Sequence, residues 1–131
     1  MLDKKKISII IEQLQKDDRI LAVYIMGSAA SGRMRPGSDI DLAVLISANK
    51  DFTELERLKI ASDLAFELGI PVDIGEISTK NLVYAKEAVL IGQRIYVRNE
   101  SKADLKISTI LGMYVVFNED RKEVLDAYRS R

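Results

Sequence analysis

The sequence predicts an α/β (α+β) fold, with a small mixed β-sheet and helices packed mainly on one face. Short apolar runs, which are typical of strands, alternate along the chain with longer segments whose apolar residues recur every three or four positions, as on one face of a helix. The connections are short, and no internal repeat or proline-rich linker interrupts them. We therefore expect a single domain over residues 1–131, with a core at about 7–98 and a helical C-terminal segment at 101–131.

The first half of the chain supplies two predicted strands. Residues 4–17 place their apolar side chains on one face and predict an amphipathic helix. Residues 20–26 are a short run of branched, aromatic and other apolar residues that predicts a strand ending at Gly27. A short helical turn at 29–34 and a second strand at 39–46 follow.

The second half continues the alternation. Residues 51–68 predict a helix that ends at Gly69, because a glycine followed closely by proline is typical of a helix C-terminus. The remaining elements are, in order, a strand at 72–77, a helix at 79–91, a strand at 94–98 and helical structure from 101 onward. The apolar run at 107–117 lies in this last segment, which we interpret as one bent helix or two helices in tandem.

Composition excludes several kinds of site. Lysine plus arginine and aspartate plus glutamate number twenty each, so the net charge of zero does not indicate a polyanion-binding chain. Cysteine and histidine are absent, which excludes disulfides, thiolate or imidazole metal ligands and histidine-activated nucleophiles. Any metal must be held by oxygen, which favours Mg²⁺ or Mn²⁺. Because no apolar stretch reaches about 18 residues, we expect a cytoplasmic protein without a membrane span.

The most informative motif joins a glycine-serine pair to two acids. It reads Gly27-Ser28, ten further residues, and then Asp39 and Asp41 on either side of an isoleucine. Alternate side chains of a strand share one face, so these two carboxylates lie together, and divalent cations would relieve their repulsion. Asp73, on the next predicted strand, is the natural third acid, as a metal ligand and as the base that takes a proton from an attacking hydroxyl. This arrangement is suited to metal-assisted phosphoryl or nucleotidyl transfer.

Residues around the acids are candidates for holding a triphosphate. Gly27 allows the backbone to approach a phosphate closely, and Ser28 offers a hydroxyl and an N–H at the start of the short helix, where the helix dipole favours an anion. Arg33 and Arg35 are the nearest cations. We assign Arg33 and Ser38, together with Gly27 and Ser28, to nucleotide binding.

At these residues the chain resembles a known family. Gly27-Ser28, ten residues and Asp39-Ile40-Asp41-Leu42 are similar to the signature of the DNA polymerase β-like nucleotidyltransferase superfamily, and the small size is similar to its minimal nucleotidyltransferase (MNT) branch. The resemblance covers about residues 7–97. It implies a nucleotidyltransferase fold in which Asp39, Asp41 and Asp73 are catalytic and ligate metal, with two Mg²⁺ ions or Mn²⁺, and in which Gly27 and Ser28 hold the triphosphate of ATP.

The resemblance also implies a partner and an acceptor. Small members of the family are commonly paired with a helical HEPN-domain ribonuclease toxin, which the nucleotidyltransferase neutralises. We therefore expect transfer of AMP from ATP to a hydroxyl, such as a tyrosine of a HEPN toxin. The apolar residues of 107–117 surround most of a helix, which indicates burial in the core, against such a partner, or against a second copy of the chain in a homo-oligomer.

Three other functions remain compatible with the residues. One is a binding module that neutralises its partner sterically, without turnover. Another is a small-molecule adenylyltransferase of the aminoglycoside-modifying kind, although such enzymes usually have a further substrate-binding domain. The third is a structural domain with an acidic turn. The tyrosines are scattered and do not alternate with basic residues, so we expect no direct binding of nucleic acid.

Overall fold

The computed structural model of the protein describes residues 2–27, 38–47 and 50–129. In these ranges the elements are α1 (Lys4–Leu14), β1 (Ile20–Met26), β2 (Ile40–Ile46), α2 (Glu54–Leu68), β3 (Val72–Ile77), α3 (Leu82–Ile91), β4 (Gln93–Val97) and α4 (Glu100–Arg129). Each of them was predicted, and their ends agree with the prediction to within three residues. The helical turn predicted at 29–34 lies outside the described residues.

The strands form one mixed sheet in the order β3-β2-β1-β4. Strand β1 runs antiparallel to both β2 and β4, whereas β2 and β3 run parallel. The mixed sheet of the predicted fold class is therefore confirmed. Within the described residues β3 is an edge strand, with β2 as its neighbour on one side.

One part of the prediction needs correction, because helices cover both faces of the sheet and not mainly one. The first face packs against α1 and α2 through a core that includes Ile10, Leu14, Val23, Ile25, Leu42, Val44 and Leu64. The second face packs against α3 and α4 through a core that includes Tyr24, Ala43, Leu45, Ala85, Ala88, Ala103 and Ile110. The physical reason is that β1 and β2 are buried at nearly every position, so apolar side chains on both of their faces need cover.

Capping residues fix where the elements next to the site begin and end. The Thr53 hydroxyl accepts a hydrogen bond from the Glu56 N–H at the start of α2, and Gly69 ends this helix in the left-handed conformation, with φ of +69°. At the start of α3, the Asn81 side chain accepts a hydrogen bond from the N–H of Tyr84 at 3.2 Å. These caps set the direction in which β3 and α3 leave their turns.

The C-terminal segment is one continuous helix of 30 residues. Its first half packs on the sheet and on α3, where Ala103 and Ile110 are buried. Its second half leaves apolar side chains exposed, among them Val115, Val124 and Tyr128. None of the helices in the described part of the chain is both long and apolar enough to span a membrane.

Candidate active site

Two of the predicted acids are direct neighbours in the sheet. Asp41 of β2 lies opposite Asp73 of β3 in the parallel pair. Ile40, Leu42 and Ile74 point into the core under α1 and α2. Because alternate side chains of a strand point to opposite faces, Asp41 and Asp73 both point to the face that carries α3.

The two acids line a pocket at one end of the sheet. Its volume is about 440 Å³, and its lining residues are Met26, Gly27, Asp41, Leu42, Asp73, Tyr84, Glu87 and Ile91. Asp41 and Asp73 are both exposed, so their carboxylates are accessible to a ligand from solvent. The pocket thus combines an acidic wall with an apolar one formed by Met26 and Ile91.

Gly27 gives the pocket its close backbone approach. Its φ is +63°, a left-handed conformation that side chains with a Cβ rarely adopt. A Cβ built at this position would lie 3.4 Å from Oδ2 of Asp41. Glycine is therefore required by the backbone turn at the end of β1, while a Cβ at this position would make an ordinary van der Waals contact with the carboxylate beside it.

The charges of the acids act on one another. Burial by surrounding protein atoms, followed by the negative charges of Asp73 and Asp39, raises the pKa of Asp41 above its usual value. Ionised acids grouped in this way repel one another, and a bound cation would offset the repulsion.

The residues at the site fit a hard divalent cation that shares its ligands with a phosphate. Within the described ranges, no three acidic side chains are gathered closely enough to form a metal site on their own. Mg²⁺ in phosphoryl-transfer sites is bound by one or two carboxylates together with substrate phosphates, rather than by a complete cage of protein ligands. A neighbouring pair of accessible carboxylates, such as Asp41 and Asp73, meets this requirement.

The other predicted site residues are placed as follows. Asp39 and Ser38 directly precede β2, and Asp39 does not line the pocket although its charge reaches Asp41. Ser28 and Arg33 lie outside the described residues. The structure therefore brings Gly27, Asp41 and Asp73 together, and it places Asp39 beside them at the entry to β2.

Sequence reasoning did not find the pocket residues that α3 supplies. Tyr84, Glu87 and Ile91 are spaced by three and four positions, so they share one side of the helix and face the acids. One signal was available in the sequence, because Gly75 interrupts a predicted strand and an isolated glycine there indicates that another group approaches closely. That group is Tyr84, whose hydroxyl lies against Gly75.

Tyr84 also takes part in the electrostatics of the pocket. Burial raises the pKa of its phenol, and the negative charges of Asp73 and Asp41 raise it further, while Arg57 opposes the change. The phenol is therefore neutral at physiological pH. It lines the pocket as an uncharged group and is not a base.

The comparisons with known proteins concern this same region. The model of the family described as "Polymerase beta, Nucleotidyltransferase" matches residues 8–101. The protein adenylyltransferase MntA of Shewanella oneidensis strain MR-1 is 26% identical over 108 residues, which cover 82% of this chain and 76% of that protein.

Solved structures share the fold over nearly the whole chain. A crystal structure of a toxin-antitoxin with AMP-PNP has a TM-score of 0.77 at 23% identity, and the match covers 98% of this chain and 99% of the other. A structure of the tri-AMPylated Shewanella oneidensis HEPN toxin in complex with MNT antitoxin also has a TM-score of 0.77, at 21% identity and with the same coverage. Because the family model spans well over half of the chain, and includes the in-register acids and Gly27, the protein belongs to the polymerase beta nucleotidyltransferase family.

Proposed function

We propose that this protein is a protein adenylyltransferase that transfers AMP from ATP to a hydroxyl of a HEPN-domain toxin, and that it is thereby the antitoxin of a toxin-antitoxin pair. The observation that carries the proposal is the in-register pair of Asp41 and Asp73 in a pocket that begins at Gly27. The activity named for the MntA relative and the AMPylated toxin of the structural relative support the choice of substrate and acceptor. We place this reaction in the cytoplasm.

In this proposal the acids would hold metal, and one of them moves a proton. Asp41 and Asp73, together with Asp39 at the entry to β2, would hold two Mg²⁺ ions that share their ligands with the triphosphate, with Mn²⁺ as an alternative. When bound, these ions supply positive charge that stabilises the attacking and leaving oxygens of the transfer. Asp73 takes the proton of the acceptor hydroxyl, whose oxygen bonds to the α-phosphorus of ATP while the bond to the bridging oxygen breaks and pyrophosphate leaves.

The residues at the start of the motif bind the nucleotide. The left-handed turn at Gly27 directs the backbone alongside the Asp41 carboxylate, and we assign Gly27, Ser28, Ser38 and Arg33 to the triphosphate. The acceptor enters from the side of α3, where Ile91 is exposed at the edge of the pocket. An apolar contact at this edge suits the ring of a tyrosine acceptor better than a polar sugar.

The exposed half of α4 supports a protein partner. Val116, Val124, Leu125 and Tyr128 expose large apolar surfaces on a helix that continues past the body of the domain. Exposed apolar residues grouped in this way mark interaction surfaces. We expect a HEPN protein to cover them, and a second copy of this chain is the alternative.

The test is AMP transfer to the partner. The protein is incubated with labelled ATP, Mg²⁺ and the product of any adjacent coding sequence, which we expect to be a HEPN protein, and this partner is then examined by intact mass. A gain of one or more AMP units that disappears in EDTA and in the Asp39→Asn, Asp41→Asn double variant supports the proposal. Undiminished neutralisation of the partner by that variant, without any gain in mass, favours the steric binding module instead.

Two further controls separate the remaining alternatives. A small-molecule adenylyltransferase would modify an aminoglycoside under the same conditions and leave the HEPN protein unmodified. A purely structural domain would show no Mg²⁺-dependent heat of ATP binding by calorimetry.

A further inference from the structure

Tyr84 of α3 lies directly on the backbone of β3 at Gly75. A Cβ built on Gly75 would lie 2.1 Å from the Tyr84 hydroxyl oxygen, 2.6 Å from its Cζ and 3.0 Å from its Cε1, whereas an ordinary contact is 3.4–4 Å. Any side chain at position 75 would therefore displace the ring. The hydrogen of glycine is what allows the tyrosine to sit there.

This contact lies next to the acid that we assign as base and metal ligand. Gly75 is two residues after Asp73, so both face α3, and Tyr84 lines the same pocket as Asp73. On its other side Tyr84 lines a second cavity of about 500 Å³, which also includes Arg57. The ring is thus the partition between the carboxylate pocket and the cavity at the edge of the sheet.

The strand that carries Asp73 needs such support. In the described sheet β3 has β2 as its only neighbouring strand, and an edge strand has fewer restraints than a central one. Two side chains supply the restraint that a second neighbouring strand would provide. Arg57 donates a hydrogen bond to the Ile74 carbonyl at 3.3 Å, and Tyr84 holds the α3-facing side at Gly75.

We propose that Tyr84 is a positioning residue for Asp73, because its ring, seated on Gly75, fixes the edge strand and forms the pocket wall beside the carboxylate. This inference rests on the proposed function. Catalytic groups must be held to within about 0.5 Å, and a misplacement of about 1 Å can cost about 100-fold in rate. The role belongs to the ring, since the hydroxyl is directed at the Gly75 backbone.

The experiment compares four single variants and one double variant of the full chain. Tyr84→Ala removes the ring, Tyr84→Phe keeps it, and Gly75→Ala displaces it. Val89→Ala is the matched control, because Val89 packs on the same core from the same helix and does not line the carboxylate pocket. For each variant we measure kcat and KM for ATP in AMP transfer to the HEPN partner, the thermal midpoint, and hydrogen exchange of the β3 amides without nucleotide or metal.

The expected pattern is specific to positioning. Tyr84→Ala and Gly75→Ala each lower kcat by about 10- to 100-fold with KM for ATP nearly unchanged, and both speed exchange of the β3 amides. Tyr84→Phe restores most of the lost kcat. The Tyr84→Ala, Gly75→Ala double variant loses little more than either single variant, because both changes remove one contact. Val89→Ala lowers the thermal midpoint but leaves kcat and β3 exchange near the wild type.

Other results overturn the inference. If Tyr84→Ala changes kcat no more than Val89→Ala does, the ring only fills space. If Tyr84→Phe is as defective as Tyr84→Ala, the hydroxyl matters and not the position of the ring. If the wild type transfers no AMP, the proposed function fails, while β3 exchange still decides whether Tyr84 fixes the strand: unchanged exchange in both Tyr84→Ala and Gly75→Ala refutes it.

Discussion

Replacing Asp41 with asparagine should stabilise the metal-free protein while it abolishes AMP transfer. Asp41 lies opposite Asp73 on the neighbouring strand, and like charges at facing positions of a sheet destabilise it by about 0.2–1 kcal/mol. Burial and the charges of Asp73 and Asp39 raise the pKa of Asp41 above its ordinary value of 3.8, so the fold disfavours the ionised form. Because both acids are exposed and screened by water, we expect a gain in the free energy of unfolding of about 0.5 kcal/mol.

The gain in stability is measured as the difference in thermal midpoint between Asp41→Asn and the wild type, first in EDTA and then in Mg²⁺. For a domain of this size, about 0.5 kcal/mol corresponds to a rise of about 2 °C in Tm. The free-energy cost of ionising Asp41 in the folded protein is fully present at pH values above its raised pKa, and it disappears at pH values below the pKa of the unfolded chain. The thermal midpoints of the wild type and the variant must therefore converge as the pH falls below 3.8. In Mg²⁺ at pH 7 the difference must narrow or reverse, because the cation offsets the repulsion in the wild type alone.

Three comparisons control this measurement. Asp63→Asn removes a charge from the exposed surface of α2 and should leave Tm unchanged. Asp73→Asn should give a smaller gain than Asp41→Asn, because it removes the repulsion but not the burial of the Asp41 charge. The double variant should add little to Asp41→Asn, because that change has already removed the pair of charges. A lower Tm for Asp41→Asn in EDTA at pH 7, or a full second gain in the double variant, would refute the repulsion argument.

Three further outcomes are expected. Gly27→Ala and Gly69→Ala each force a Cβ into a left-handed backbone, so each should lower the free energy of unfolding by about 1–2 kcal/mol. AMP transfer should fall only in Gly27→Ala, because a Cβ at Gly69 has nothing within 4 Å. Equal activity in the two variants would contradict this. Arg19→Ala should lower stability by about 1 kcal/mol in denaturant titration without changing kcat, since Arg19 joins the loop after α1 to α2 through ion pairs and a ring contact. The Val124→Asp, Leu125→Asp double variant should bind the HEPN partner at least 10-fold more weakly in calorimetry, which is the loss of affinity expected on the order of one interface anchor residue. Its Tm should stay near that of the wild type, because both side chains are exposed.

The sequence was sufficient for the elements, and it offered Asp39, Asp41 and Asp73 as candidate acids. Strand period places Asp39 and Asp41 on one face wherever the strand lies, and the apolar runs on either side of the motif located the strands to within three residues. What the sequence could not supply is the register between β2 and β3, since a shift of one residue would turn Asp73 to the opposite face. In the folded chain the Ile40 N–H donates to the Pro71 carbonyl at 2.8 Å, and this contact begins the pairing that brings the acids together.

The side chains that α3 brings to the pocket were also beyond sequence reasoning. This helix is apolar around most of its surface, so its pattern indicated no single buried face. Which side faces the sheet is decided by packing, where Ala85 and Ala88 allow the helix to approach closely. Only then do Tyr84 and Glu87 face the acids. The isolated glycine at position 75 of the predicted strand indicated a close contact, but it lies nine residues before Tyr84 and did not identify which residue makes that contact.

Helices on both faces of the sheet give this small domain a pocket beside its acids. With helices on the α1 and α2 face alone, Asp41 and Asp73 would stand on an open sheet surface, because the pocket residues Tyr84, Glu87 and Ile91 all come from α3. Helix α3 converts that surface into a pocket, and the buried half of α4 holds α3 in place. The same α4 then extends its exposed apolar half outward. A partner that covers this half therefore binds the same helix that supports the wall of the site.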